Sequence, residues 1–329
     1  MTPVVPELPD LRGELYSLVD QIPSGRVTTF GALARALGDV TAALWVAKHL
    51  ADQFSSLKQR HPVHRIVRQT GELPDSFLAM GAEHLLKRER VNVLNGRVDL
   101  GQFGFHDFQS TFPLQDLQAL QASLSESSRL SPAPECEFVG GVDVSYQSEM
   151  TAVAAYTLVE VKTRRLVWSH VKRHPVTFPY ISGYLAFREL PVLSELLAEV
   201  RAAGRLAPVL LVDGNGRLHP RHAGIATHLG VLHGIPTIGV GKTLICGTIQ
   251  SEEQVSEQGS PIVYQGESVA TAVRAQKKSR PVYISPGHLT DVPTATELVR
   301  RLFRDHRLPE PLFWADHLSR DAAQQGKTC

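Results

Sequence analysis

Two aspartates stand where the chain otherwise calls for apolar side chains. Asp143 lies inside the strand-like run GGVDVSY, and Asp213 ends PVLLVDG, a continuous apolar run of the kind found in central strands. Burying an unpaired carboxylate costs several kcal/mol, so something must compensate. A divalent cation with oxygen ligands is the simplest compensation, and aspartates on adjacent strands would converge on one. Glu189 of AFREL, on a helix between those strands in sequence, is the natural third ligand. Mg²⁺ suits such a site because it uses a few carboxylates, keeps waters and avoids closed protein cages. Mn²⁺ is expected to substitute. Any one of these acids alone could be a solvated residue at a strand end; the three together favour a metal site.

The stretch LVDGNGRLHPRHAG adds further chemistry. Gly214 and Gly216 let backbone approach a ligand closely at the carboxyl end of a strand, where open α/β sheets place their sites. His219 and Arg221 could contact phosphate, with Lys242 of GVGK as another cation; the alternative is a plain turn with solvated charges. GVGK is too short to be a GxxxxGK[ST] phosphate loop, which excludes nucleotide hydrolysis of that kind.

The elements that must position these residues alternate. Apolar spacing predicts a helix over 11–19, a turn at IPSGRVTT, and a helix from about Phe30 to Leu37 that Thr28 or Thr29 could cap. Gly38 stops it, and Asp39 or Thr41 can cap a second helix ending near Gln53, which makes a helix-turn-helix candidate. GQFGFHDFQSTF at 101–112 breaks both periodicities and marks the domain boundary. Beyond it the pattern predicts a helix over 114–124 and strands over 137–144, 152–161 and 165–172. A helix over 184–201, the strand PVLLVDG, a helix over 222–233, strands TIGVG and VYISPG and a helix over 294–304 complete a mixed α/β sheet.

With 329 residues the chain is long enough for two domains, and 43% hydrophobic against 20% charged content supports packed cores rather than disorder. No apolar run reaches the roughly 18–20 residues that span a bilayer, and MTPVVPELPD lacks a signal-like pattern, so a cytoplasmic protein without membrane contact is expected. Cys136, Cys246 and Cys329 are too scattered for a disulfide framework or zinc cluster. A net charge of +1 does not advertise nucleic-acid binding, which leaves the question to local charge.

GVDVSY, FPYISGYLAFREL, LLVDGNGRLHPRHAGIATHLGVLHGIPTIGVGK and YISPGH, in this order, resemble endonuclease V, the deoxyinosine-specific nuclease with an RNase H-like fold. The likeness runs from about Leu114 to about Arg320. The resemblance implies Asp143, Glu189 and Asp213 as metal-binding acids, Lys242 and His219 near the scissile phosphate, and His288 as a further active-site residue. It also implies that Tyr180 and Ile181, within the segment Pro179 to Ser182, form a wedge separating the damaged strand from its partner. Gly183, Leu185, Gly214, Gly216, Ile225 and Gly239 match positions that build a tight pocket for the flipped hypoxanthine. Ser182 stands where the family usually has a second proline.

IPSGRVTTFGALARALG followed by HPVHRIVRQTGEL is similar to the DNA-binding domain of O6-alkylguanine-DNA alkyltransferases, over roughly Leu11 to Leu100. Where that family has Pro-Cys-His-Arg, this chain reads Pro62, Val63, His64, Arg65. Valine cannot accept an alkyl group, so the domain resembles the alkyltransferase-like branch, which binds the lesion without an acceptor thiol. The resemblance makes His64 and Glu89 structural relics, puts Phe30 in place of a tyrosine that helps rotate a nucleotide out, and puts Leu44 in place of an arginine that fills the gap. Between Arg26 and Arg68 seven Lys or Arg face two acids (Asp39, Asp52), a local excess of five that suits DNA phosphates.

The expectation is therefore a monomeric DNA repair fusion. A small, mainly helical, winged helix-turn-helix-type alkyltransferase-like domain (1–105) that binds DNA, including O6-alkylguanine, precedes an RNase H-like endonuclease V domain (109–329) that nicks DNA 3′ to deoxyinosine. The alternatives are an inosine-directed ribonuclease and a damage-sensing binding protein.

Overall fold

The computed structural model describes residues 6–250, 255 and 258–325; Cys329 lies outside them. Leu8–Gln118 with Phe178–Ser182 form one compact unit, and Ala119–Thr177 with the chain from Gly183 onward form the other.

The first unit is mainly helical. Helix α1 (Leu11–Asp20) starts at Asp10, whose carboxylate accepts from the Arg12 and Gly13 amides, and it buries Leu11, Leu15, Leu18 and Val19 as their spacing requires. A two-residue strand β1 (Thr28–Thr29) leads into α2 (Phe30–Ala36), capped by the Thr29 hydroxyl on the Ala32 amide at 3.1 Å. Gly38, with φ +107°, ends that run, and Asp39 caps a single turn that enters α3 (Ala43–Leu57). The helix pair expected from the sequence is present. Its second member extends past Gln53 because Phe54 and Leu57 continue the buried stripe of Val46 and Leu50. Then come β2 (Ile66–Val67), α4 (Asp75–Ala79) and α5 (Ala82–Arg88), the hairpin of β3 (Val93–Leu94) and β4 (Arg97–Val98), α6 (Leu100–Phe103) and the start of α7 (Pro113–Ser127), whose residues from Ala119 onward belong to the second unit.

The second unit is a mixed sheet covered on both faces. Its long antiparallel meander is β5 (Phe138–Ser148), β6 (Thr151–Glu160) and β7 (Arg165–Pro175), followed by α8 (Leu185–Ala202), β8 (Val209–Asp213), α9 (Ile225–His233) and β9 (Thr237–Gly241). The chain continues through β10 (Thr248–Ile249), β11 (Ser260–Tyr264), β12 (Glu267–Val273), β13 (Val282–His288), α10 (Val292–Arg301) and α11 (Glu310–Gln325). Strand order is β10-β11-β12-β13-β9-β8-β5-β6-β7, with β8 parallel to both β5 and β9 and the remaining pairs antiparallel.

Residues of β8 alternate between two cores. Leu210 and Val212 pack with Leu193, Leu196 and Leu229 of α8 and α9, while Val209 and Leu211 pack with Val299 and Leu312 of α10 and α11. Both faces being buried explains the unbroken apolar run of PVLLVDG. Strands β10–β12 and helix α11 were not foreseen from the sequence. Among the described residues no helix is long and apolar enough to cross a membrane.

Candidate active site

The register of the central strands builds the site. Val142 of β5 pairs with Val212 of β8 in parallel, so Asp143 and Asp213 occupy the next row, on the same face of the sheet and about one strand spacing of 4.8 Å apart. That face is covered by α11, whose Pro311 backbone packs so closely on Gly141 that a Cβ there would sit 2.5 Å from the Pro311 carbonyl. The helix thereby delivers Asp316, buried to 6% exposure, over the two strand aspartates. One ligand atom from each of Asp143, Asp213 and Asp316 lies within 4.8 Å of the others.

Hydrogen bonds and ion pairs fix the cluster. Ser319, one turn after Asp316, donates to Asp143 Oδ2 at 2.7 Å. Lys242, just beyond β9, places Nζ 2.5 Å from Asp213 Oδ2 and 2.9 Å from Asp316 Oδ1, and Arg320 adds a contact of 2.9 Å to the same Asp316 oxygen. Burial, then the charge of Asp143, raises the Asp213 carboxyl to about 7 against the opposing pull of Lys242.

Glu189 enters from α8 on the other face. Its carboxylate accepts from the Tyr146 hydroxyl at 2.9 Å and is raised to about 8, by burial first and then, against that hydrogen bond, by the charges of Asp143 and Asp213. It therefore lies within the field of the two strand aspartates, and Asp316 joins those two in a tight three-carboxylate group. Asp316 carries no strand context that would mark an acid as anomalous, since ADHLSRD reads as an ordinary charged helix. Its signal was an acid on the apolar stripe of Leu312, Ala315, Ser319 and Ala323.

Two carboxylates, Asp213 and Glu189, with raised pKa values and one lysine shared with Asp316 mark uncompensated negative charge in a mostly buried place. The donor set is all oxygen, on three separate elements, and fits a hard divalent cation.

Of the two histidines expected near this chemistry, the strand register sets His288 apart from the acids. His288 pairs with Thr237, which pairs with Leu210, which pairs with Gly140. It thus sits roughly 10 Å along the strands from the Asp143–Asp213 row and two strands across. Its Nδ1 accepts from the Arg129 amide at 3.2 Å. His219 is buried after β8, with Nε2 3.2 Å from the Gly183 carbonyl and Nδ1 accepting from the Arg221 amide. Arg221 itself is half-buried and bonds the same carbonyl.

The glycines of the LVDGNG turn are used for close packing. A Cβ on Gly239 would lie 2.3 Å from the Gly216 amide, and one on Gly216 would lie 2.2 Å from the Pro286 carbonyl, so backbone meets backbone across β8, β9 and β13. At Gly214, φ +149°, a Cβ would strike Ile225, the buried first residue of α9. Gly183, φ +80°, precedes α8, which Leu185 opens. In the Phe178–Ser182 segment Tyr180 is 63% exposed and Ile181 is buried.

In the first unit, Val63 is fully buried. His64 Nε2 lies 2.9 Å from Glu89 Oε1, and the Arg65 guanidinium chelates Glu89 while bonding the Ile22 carbonyl at 2.6 Å. Burial would raise Glu89, but hydrogen bonds from Arg65, His64 and the Gly25 amide hold it down at about 2. These groups form a structural clasp. No cysteine lies in residues 1–118 to serve as an alkyl acceptor. Phe30 is half-buried, edge-on to Phe77 at 6.0 Å, and Leu44 is 80% exposed. Of the seven basic residues between 26 and 68, Arg65 is engaged by Glu89 and the other six are exposed.

Comparison with known proteins agrees with both units. Residues 118–317 match the family model described as Endonuclease V, and residues 10–91 match that of the 6-O-methylguanine DNA methyltransferase DNA-binding domain. The chain is 31% identical over 300 residues to a bifunctional methyltransferase/endonuclease of Picrophilus torridus, covering 90% of this chain and 92% of that one. It is 40% identical over 217 residues to endonuclease V of Ignicoccus hospitalis, covering 65% and 97%. Its fold matches endonuclease V of Ciona intestinalis, solved with a 24mer DNA containing an inosine followed by a ribo-adenosine, at TM-score 0.60 and 29% identity, covering 64% and 98%. With the endonuclease V model matched over more than half its length, and with this carboxylate cluster in its sheet, the chain belongs to the endonuclease V family.

Proposed function

We propose that this endonuclease nicks DNA on the 3′ side of deoxyinosine, leaving 3′-hydroxyl and 5′-phosphate ends, with Mg²⁺ as its metal and Mn²⁺ as a substitute. The observation that carries this reading is the cluster of Asp143 and Asp213 on adjacent strands and Asp316 of α11, beside Lys242. Held there, a divalent cation supplies charge neutralisation and an acidified water for phosphodiester hydrolysis. Lys242 offers a second positive charge to the phosphate, and Glu189 adds negative charge that favours metal retention. Ser319 orients Asp143, and Arg320 holds Asp316 in place.

Base recognition is assigned to Tyr180 and Ile181 as the wedge, and to Gly183, Leu185, Gly214, Gly216, Ile225 and Gly239 as the pocket walls. A base must leave the stack before its edge can be read, and an exposed aromatic such as Tyr180 suits the vacated gap. The domain boundary is placed between residues 105 and 109. The preceding domain binds DNA through its exposed basic residues and carries the alkyltransferase-like pocket near Val63 for O6-alkylguanine, without alkyl transfer.

A second reading, inosine in RNA, is favoured by the ribo-adenosine that follows inosine in the Ciona complex. Cleavage of matched inosine-containing DNA and RNA with added Mg²⁺ separates the two. The proposal expects faster cutting of DNA; preferential cutting of RNA makes the chain a ribonuclease, and activity on neither defeats both.

A further inference from the structure

The Gly183 carbonyl is the acceptor for three side chains. Arg221 Nη2 donates at 2.7 Å, Gln121 Nε2 at 3.1 Å and His219 Nε2 at 3.2 Å. A carbonyl has two lone pairs, and one that draws three side-chain donors is held harder than the backbone alone requires. The donors are themselves interlocked. Arg221 Nε bonds Gln121 Oε1 at 2.5 Å, and the guanidinium lies 4.7 Å over the ring of Tyr184, the residue that precedes α8. Gln121 and Tyr184 are fully buried.

The histidine's role follows from its two nitrogens. Nδ1 accepts from the Arg221 amide, so the ring's single proton is on Nε2 and points at Gly183. Burial, then the charge of Arg221, lowers this imidazole to about 4, which keeps it neutral. Both nitrogens are occupied in the clamp, leaving neither a free lone pair nor a spare proton for acid–base work.

Gly183 is the hinge between two things that matter. It adopts φ +80°, open to glycine, and it joins the Phe178–Ser182 segment bearing Tyr180 to α8 bearing Glu189. We propose that Gln121, His219 and Arg221 are positioning residues that lock the Gly183 peptide, and through it set how selectively the enzyme engages deoxyinosine rather than how fast it hydrolyses the phosphodiester. This rests on the reading of Tyr180 and Gly183 as lesion-recognition elements.

The test uses the full chain with Arg221→Met, His219→Ala, His219→Gln and Gln121→Leu. The first readout is hydrogen exchange of the backbone amides from Ile181 to Phe187, which needs no substrate. Losing a charged donor to this part-buried carbonyl should speed exchange there about 10–100-fold in Arg221→Met. Unchanged protection overturns the clamp, as does a variant that loosens the whole sheet equally. The second readout is cleavage of inosine and undamaged duplexes. Arg221→Met and His219→Ala should raise KM for inosine DNA and lower the inosine-to-undamaged ratio about tenfold or more, leaving the pH–rate profile at saturating DNA with the wild-type shape. His219→Gln, whose amide can still donate to Gly183, should recover most of that ratio. Loss confined to kcat, an altered pH profile, or a His219→Gln as impaired as His219→Ala would make His219 a group of the chemical step. A wild type that ignores inosine overturns the parent reading of substrate, while the exchange result still decides the clamp.

Discussion

Replacing one carboxylate of the cluster by its amide removes charge while keeping shape, so it isolates the metal-holding role. Asp316→Asn takes one of three converging ligands and frees Lys242 and Arg320 from a shared oxygen. Cleavage at limiting Mg²⁺ should fall by about 100-fold or more, partly recovering at high Mg²⁺, as titration of activity against metal would report. A variant cutting like the wild type at every Mg²⁺ concentration would remove Asp316 from the site. Protonation gives a second handle. Burial raises Glu189 to about 8 and Asp213 to about 7, so the folded protein retains protons that the unfolded chain has released. Their stabilising contribution is complete below the unfolded carboxyl values and is lost as pH rises through these folded values. Chelator-treated protein should therefore melt at progressively lower temperature between about pH 5 and 8. Mg²⁺ should restore more stability at the upper end, and Glu189→Gln should flatten the curve. Asp143 and Asp213 were legible because acids inside apolar strands need an explanation. Asp316 was not, because ADHLSRD reads as an ordinary charged helix until the face it buries is known. His288 follows a correct motif, YISPGH, but its distance from the acids depends on strand register, which the motif does not encode.

Helix α11 is the element on which the site depends. It is seated by the Thr157 hydroxyl on the Pro311 carbonyl at 2.7 Å and by the close approach of the Pro311 backbone to Gly141. A methyl group at Gly141 would strike backbone rather than a movable side chain. Gly141→Ala should cost roughly 1–3 kcal/mol by overpacking and should also weaken Mg²⁺ binding, because it displaces Asp316. Thermal melts with and without Mg²⁺ would show both effects, and a destabilised variant with unaltered metal affinity would show that α11 is not the positioning element. The meander, the central parallel strand and the helix pair were readable from apolar period and caps. Strands β10–β12 were not, since one is two residues long, another carries a register shift at Ile262–Val263, and the intervening sequence is polar.

On the scale of the whole chain, two units with different chemistry share one polypeptide, each matching its own family model. The first should contribute DNA affinity without alkyl transfer. Full-length protein incubated with DNA carrying radiolabelled O6-alkylguanine should acquire no label, because a thiolate nucleophile is absent where Val63 is buried. Arg35→Ala with Lys48→Ala should weaken DNA binding and reduce the slope of log affinity against log salt by about 2 if both contact phosphate. An unchanged slope would assign DNA binding to the second unit alone.

The most direct measurement follows the fate of a duplex bearing a single deoxyinosine, incubated with Mg²⁺ and either wild-type protein or Asp213→Asn, with the product ends mapped. The wild type should leave one nick 3′ to the lesion, with a 3′-hydroxyl and a 5′-phosphate, and Asp213→Asn should bind the same duplex while cutting it orders of magnitude more slowly. Equal cutting by the two proteins, or no cutting by the wild type, would contradict a metal-dependent endonuclease built on these strand aspartates.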